Sequence, residues 1–148
     1  FSVDRYASYK EDWGAAYEAG ELILANRYTT SNAVHQASKL PAGERDGYLD
    51  WLFDLEYNRL GLPRPDLVVY LDLPTELSEE MMRRREAATG VAADIHERDE
   101  AYLRACRASA REIARGCGWQ LVDCARDGVV RPAEEIHREV WSLVGALL

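Results

Sequence analysis

The sequence predicts an α/β protein built on a parallel β-sheet, and three observations carry that prediction. Three short apolar runs, Glu21 to Ala25 (ELILA), Asp66 to Leu73 (DLVVYLDL) and Trp119 to Cys124 (WQLVDC), lack the polar alternation of a half-exposed strand and read as strands buried on both faces. Stretches of helical periodicity separate them, and strands alternating with helices imply parallel pairing through right-handed crossovers. The 148 residues, 47% of them hydrophobic, fit a single domain over the whole of 1–148.

Each element has its own signal. Val3, Tyr6, Lys10, Trp13 and Tyr17 recur at helical spacing, and Gly20 is a stop. The ELILA strand runs into a polar loop, NRYTTSN. Tyr48, Trp51, Leu52 and Leu55 form a helical stripe within residues 44 to 60, after which Gly61, Pro63 and Pro65 end the helix and set up the second strand. Pro74 and Thr75 open a helix whose acids, Glu76, Glu79 and Glu80, precede Arg83, Arg84 and Arg85, the order a helix dipole favours; Gly90 closes it. Leu103, Cys106, Ala110, Ile113 and Cys117 form a further stripe that ends in Gly116 to Gly118. Pro132 suits the first turn of a last helix carrying Ile136, Val140, Leu143 and Leu147.

Composition narrows the function. A formal charge of -8 argues against a nucleic-acid surface, although arginines gathered in a cleft can hold a small phosphorylated ligand on an acidic protein. Cys106, Cys117 and Cys124 form neither a CxxC pair nor a metal spacing with histidine, so they read as buried small hydrophobes in a reducing compartment, with no metal site among the side chains. No apolar run reaches the roughly 18 residues of a membrane span, and no signal-peptide pattern opens the chain, so a cytoplasmic protein without membrane contact is expected. Open parallel sheets bind ligands beyond the carboxyl ends of their strands, which directs attention to NRYTTSNAVHQ after Ala25.

The order of motifs, FxxxR on a helix, then NRY with SNAxxQ, then PRPDLVVYLDLP, then DIHE, resembles the thymidylate kinases, a bacterial branch of the P-loop nucleoside monophosphate kinases, across essentially the whole chain. The resemblance implies a three-layer α/β/α fold and transfer of the γ-phosphate of ATP, with Mg2+, to dTMP, giving dTDP. By the same resemblance Phe1 stacks on thymine, Arg5 bonds a base carbonyl, and Arg27 holds the acceptor phosphate with a planar guanidinium fork. Asn32 reaches the base, His35 stands where relatives carry an aromatic ring over the deoxyribose, and Ser31 and Gln36 belong to the same substrate-binding motif. Asn26 replaces the aspartate many relatives have before the arginine; it removes a charge, but the acceptor phosphate is already ionised, so transfer relies on positioning and charge neutralisation. Residues 83–98 resemble a lid, with Arg85 its acting arginine and Asp94, His96 and Glu97 its acidic motif near the nucleotide. Family relatives are generally homodimers, and helices rich in Trp and Tyr suit that role.

No GxxxxGK(S/T) loop occurs in the sequence. The resemblance places that loop upstream of Phe1, so the expectation is an N-terminally incomplete kinase whose 148 residues carry the dTMP site and lid, and are inactive and aggregation-prone alone. The competing expectations are another nucleotide kinase of the same fold, and a P-loop-less relative or gene fragment that does not catalyse.

Overall fold

The computed structural model describes residues 1–90 and 100–148, and the chain forms two compact units, Phe1–Pro65 and Asp66–Leu148. In the first unit, α1 (Ser2–Ser8), a π-turn (Tyr9–Trp13) and α2 (Gly14–Glu18) follow without a break, and Gly20 stops them at φ +84°. The π-turn closes on a bond from the Gly14 N–H to the Tyr9 carbonyl. A Cβ at position 14 would lie 2.3 Å from that carbonyl oxygen, so the wide turn requires glycine. Its extra residue shifts the helix register. Tyr9 becomes the buried position, at 7% exposure, while Val3 is 77% exposed and the anticipated stripe is not the core face. The Tyr9 ring meets Trp13 at 4.8 Å and Tyr17 at 6.5 Å between centroids, and its hydroxyl donates to Glu18 at 2.8 Å.

Glu21 to Ala25 does not form the anticipated strand: it carries no ladder, and Leu22 and Leu24 are 66% and 91% exposed. An apolar run becomes a strand only where a neighbour supplies hydrogen-bond partners. α3 (Thr29–Ala37) begins inside the stretch read as a polar loop and buries Thr29, Ala33, Val34 and Ala37. That face packs on α4 (Ala42–Phe53), which continues into a second π-turn (Asp54–Arg59). Leu52 is buried as the periodicity predicts, but Trp51 is 56% exposed, and the residue one turn beyond Leu52 that enters the core is Glu56.

The second unit holds the sheet. β1 (Val69–Asp72) and β2 (Gln120–Asp123) pair in parallel, with Val69 opposite Gln120 and Asp72 opposite Asp123. The Cys124 N–H extends the pairing to the Asp72 carbonyl at 2.9 Å. Among the described residues the parallel sheet therefore has two strands, not the anticipated three. α5 (Thr75–Thr89) ends at Gly90 in the left-handed region, as anticipated. α6 (Glu100–Cys117) packs on both strands and on α5, burying Cys106, Ser109, Ala110, Ile113 and Ala114; Cys117, expected inside, is exposed in the last turn. Cys124 leads into a hairpin of β3 (Ala125–Arg126) and β4 (Val129–Val130), whose turn residues Asp127 and Gly128 both have positive φ. α7 (Ala133–Gly145) then packs on β2.

Asp72, at the carboxyl end of β1, is 1% exposed. Its carboxylate accepts Arg107 through Nε at 2.7 Å and Nη2 at 3.3 Å, and also accepts Arg111 Nη1. Two arginines one turn apart on α6 thus fasten that helix to the sheet.

Two substitutions test these packing arguments. Gly14→Ala should destabilise by about 1–3 kcal/mol, since the new methyl must displace backbone rather than a flexible side chain. Asp72→Ala should lower the midpoint of urea unfolding by the equivalent of about 2–3 kcal/mol at unchanged slope, because charged hydrogen bonds are lost while both arginines can still turn to water.

Candidate functional site

The loop before α3 holds the candidate phosphate-binding residues. Arg27 adopts φ +71°, a left-handed conformation that costs an L-residue with a side chain roughly 1–2 kcal/mol. That geometry sets its side chain beside the first turn of α3, where Nε donates to the Ser31 Oγ at 3.0 Å in a solvent-open contact. The sequence-derived pair Arg27 and Ser31 is therefore brought together. Several other arginines pair with carboxylates, Arg5 with Glu56, Arg59 with Asp54, Arg84 with Glu80, Arg107 and Arg111 with Asp72, and Arg131 with Glu139, while Arg64 and Arg138 bond neutral oxygens, the side-chain amide of Asn58 and the backbone carbonyl of Glu134. Among the described residues no carboxylate pairs with Arg27; its bonded partner is a neutral hydroxyl. An uncompensated guanidinium at a helix N-terminus creates a local field that favours an anion.

Arg5 is held differently. Its Nε and Nη2 donate to Glu56 Oε2 and Oε1 at 2.8 and 3.0 Å, and its guanidinium carbon lies 5.5 Å from the centre of the Tyr28 ring. Glu56 is fully buried and accepts two further bonds, from Ser2 Oγ at 2.7 Å and Thr29 Oγ1 at 3.1 Å. Each carboxylate oxygen thus accepts twice, which fills its lone-pair capacity. Burial alone would push the Glu56 carboxyl up, but the bonds from Arg5 and Ser2, the Arg5 charge and Thr29 together hold it below the ordinary carboxylate range. Tyr28 in turn donates its hydroxyl to the Pro63 carbonyl at 3.1 Å and sets its ring edge-on to Trp13. Burial, ahead of any charge, pushes that phenol above its usual range.

The other sequence-derived residues are placed as follows. Phe1 caps α1 at 85% exposure, and its carbonyl accepts the Arg5 N–H at 2.9 Å, so the two lie one turn apart. Asn26 is exposed beside Arg27. Asn32 is half-buried on α3, and its carbonyl accepts the Tyr48 hydroxyl at 3.4 Å. His35 is half-buried on the same helix, and Gln36 is exposed and accepts Lys39 Nζ at 3.4 Å. Arg85 is exposed on α5, in the second unit. Asp94, His96 and Glu97 lie outside the described residues. Sequence reading passed over Glu56, Ser2 and Thr29 and took Tyr28 only as part of the NRY motif beside Arg27; the available signal was a carboxylate four residues after Leu52, on a face otherwise apolar. In the second unit Asp72 gave the same signal, an acid inside an unalternating apolar run.

Because the Glu56 carboxyl is depressed in the folded state, its contribution is present above its unfolded value of about 4.5 and is lost as pH falls through the folded value. Thermal melts followed from neutral pH to about pH 3 should therefore show a steeper acid loss of stability in the wild type than in Glu56→Gln, which starts lower and has no proton to take up there.

The chain is 34% identical over 126 residues to a thymidylate kinase of Mycobacterium tuberculosis (strain H37Rv), covering 82% of this chain and 58% of the relative. It is 28% identical over 134 residues to a thymidylate kinase of Thermomicrobium roseum, covering 87% and 56%, and 27% identical over 148 residues to a probable thymidylate kinase of Archaeoglobus fulgidus, covering 100% and 65%. The chain thus spans somewhat over half the length of these curated relatives. A family profile described as thymidylate kinase matches residues 1–140, and on that match the chain belongs to the thymidylate kinase family.

Proposed function

We propose that the protein of which this chain is part phosphorylates dTMP with ATP, giving dTDP and ADP, and that Phe1–Pro65 carries the acceptor site. The observation that carries the reading is Arg27: a guanidinium held by a left-handed backbone beside the first turn of α3, bonded to Ser31 and to no carboxylate among the described residues. A dianionic phosphate displaces a neutral hydroxyl bond with charge-assisted ones, so the site favours a monophosphate over an uncharged nucleoside. Exposed Phe1 supplies a stacking face, Arg5 and Asn32 the donors for base carbonyls, and His35 and Gln36 the rest of the pocket along α3. Asn26 orients a water beside the acceptor. Arg85, Asp94, His96 and Glu97 act from the lid at residues 83–98, on the ATP side.

Among the described residues no cluster of three His, Cys, Asp or Glu side chains stands together, so they offer no protein cage for Mg2+. The ion enters with ATP, whose phosphate oxygens are the hard ligands it prefers. The same reading takes the chain as part of one three-layer α/β/α kinase domain that works as a cytoplasmic homodimer. No helix among the described residues is long and apolar enough to cross a membrane.

Calorimetry on the full-length protein tests the reading. dTMP should bind more tightly than thymidine, and Arg27→Ala should weaken dTMP by at least tenfold, or about 1.4 kcal/mol, while leaving thymidine nearly unchanged. Equal weakening of both ligands, or no dTMP binding by the wild type, would remove the acceptor-site assignment. Binding without ADP formation in the presence of ATP would instead favour a non-catalytic nucleotide binder.

A further inference from the structure

We propose that Glu56 is a positioning residue for the acceptor nucleotide: its buried carboxylate fixes the Arg5 guanidinium for the pyrimidine base and ties it to the first residue of the helix that begins beside Arg27. The proposal rests on the dTMP reading and deepens it, because it assigns work to a residue that touches no ligand.

The argument begins with the use of the guanidinium's edges. Glu56 takes Nε and Nη2 in a two-point fork, and the Tyr28 ring lies over the guanidinium, so the plane is fixed in rotation and tilt. Among the described residues no hydrogen bond is made by Nη1. A single donor edge on an otherwise immobilised guanidinium is a preorganised contact: it orders no side chain on binding, and a ligand oxygen meets it without rotamer loss. The Arg5 side chain is 14% exposed and that of Glu56 is fully buried, so water competes for the edge but not for the clamp.

The second half of the argument is the route to α3. Thr29, wholly buried, opens that helix and donates to the same Oε2 that accepts Arg5 Nε. Arg27 lies two residues before it, and Ser31 two residues after. One carboxylate therefore sets both the donor for the base and the start of the segment that carries the guanidinium for the phosphate. A buried carboxylate needs its four hydrogen bonds whatever its role; what a positioning role uses is that those bonds join the Arg5 segment to the start of α3.

The test is a double-mutant cycle in the full-length protein, comparing wild type, Glu56→Gln, Arg5→Ala and the double variant, with KM for dTMP, KM for ATP and kcat measured for each. Gln presents an amide NH2 to donors and cannot keep both halves of the fork. The expected result is that Glu56→Gln raises KM for dTMP by about tenfold with KM for ATP unchanged, and raises it by less than about threefold when Arg5 is already Ala. Independent effects, with the two increases multiplying, would overturn the proposal while leaving the dTMP reading intact. A wild type that does not bind dTMP would overturn both. If Glu56→Gln does not fold, as unfolding melts would report, Ser2→Ala takes its place: it deletes one bond to Oε1 and should raise KM for dTMP several-fold only where Arg5 is present, and no Arg5-dependent change would overturn the proposal.

Discussion

A carboxylate withdrawn completely from water organises the Phe1–Pro65 unit. Desolvating such a charge costs several kcal/mol, and only good geometry with full hydrogen bonding offsets it. Glu56 meets that demand with four bonds drawn from positions 2, 5 and 29, so α1, the start of α3 and the π-turn after α4 must all be in place together. Removing any one segment leaves the charge under-solvated, and that makes their assembly conditional on one another. The apolar contacts of Leu52, Ala33 and Ala37 supply driving force without direction; Glu56 supplies the direction.

Asp72 imposes the same kind of requirement on the Asp66–Leu148 unit. It sits on the last residue of β1, where the parallel pairing to β2 ends, and draws Arg107 and Arg111 from successive turns of α6. Helix α6 carries an apolar stripe that would satisfy itself against the sheet at several neighbouring offsets. The paired arginines restrict the choice, since a rotation of α6 that turns Ala108, Ser109 or Ala110 toward Asp72 would leave the buried acid without a partner.

What was legible in the sequence, and what was not, follows from which signals are local. Gly20, Gly90 and Pro132 marked helix ends because their backbone preferences act wherever they stand, and the motif order drew attention to the segment in which Arg27 meets Ser31. The two π-turns were invisible: each inserts a residue into the helical repeat, so a stripe carried through it at 3.6 residues per turn loses register, and the buried positions there are Tyr9 and Glu56. ELILA reads as a strand because burial on both faces and an apolar composition look alike until a neighbour is found. Glu56 was hidden for the opposite reason, since a charge inside a stripe is ordinarily taken for a gap at the surface, and the partners that make it buried lie 27 to 54 positions away. The commitment of two Arg5 nitrogens to the protein itself is likewise a long-range fact.

The left-handed backbone of Arg27 would be more stable with glycine, and asparagine would also tolerate it, so arginine is a residue the fold itself does not favour at that position. Arginine at position 27 therefore carries a backbone cost that the turn itself does not offset, and the side chain is the place to look for what does.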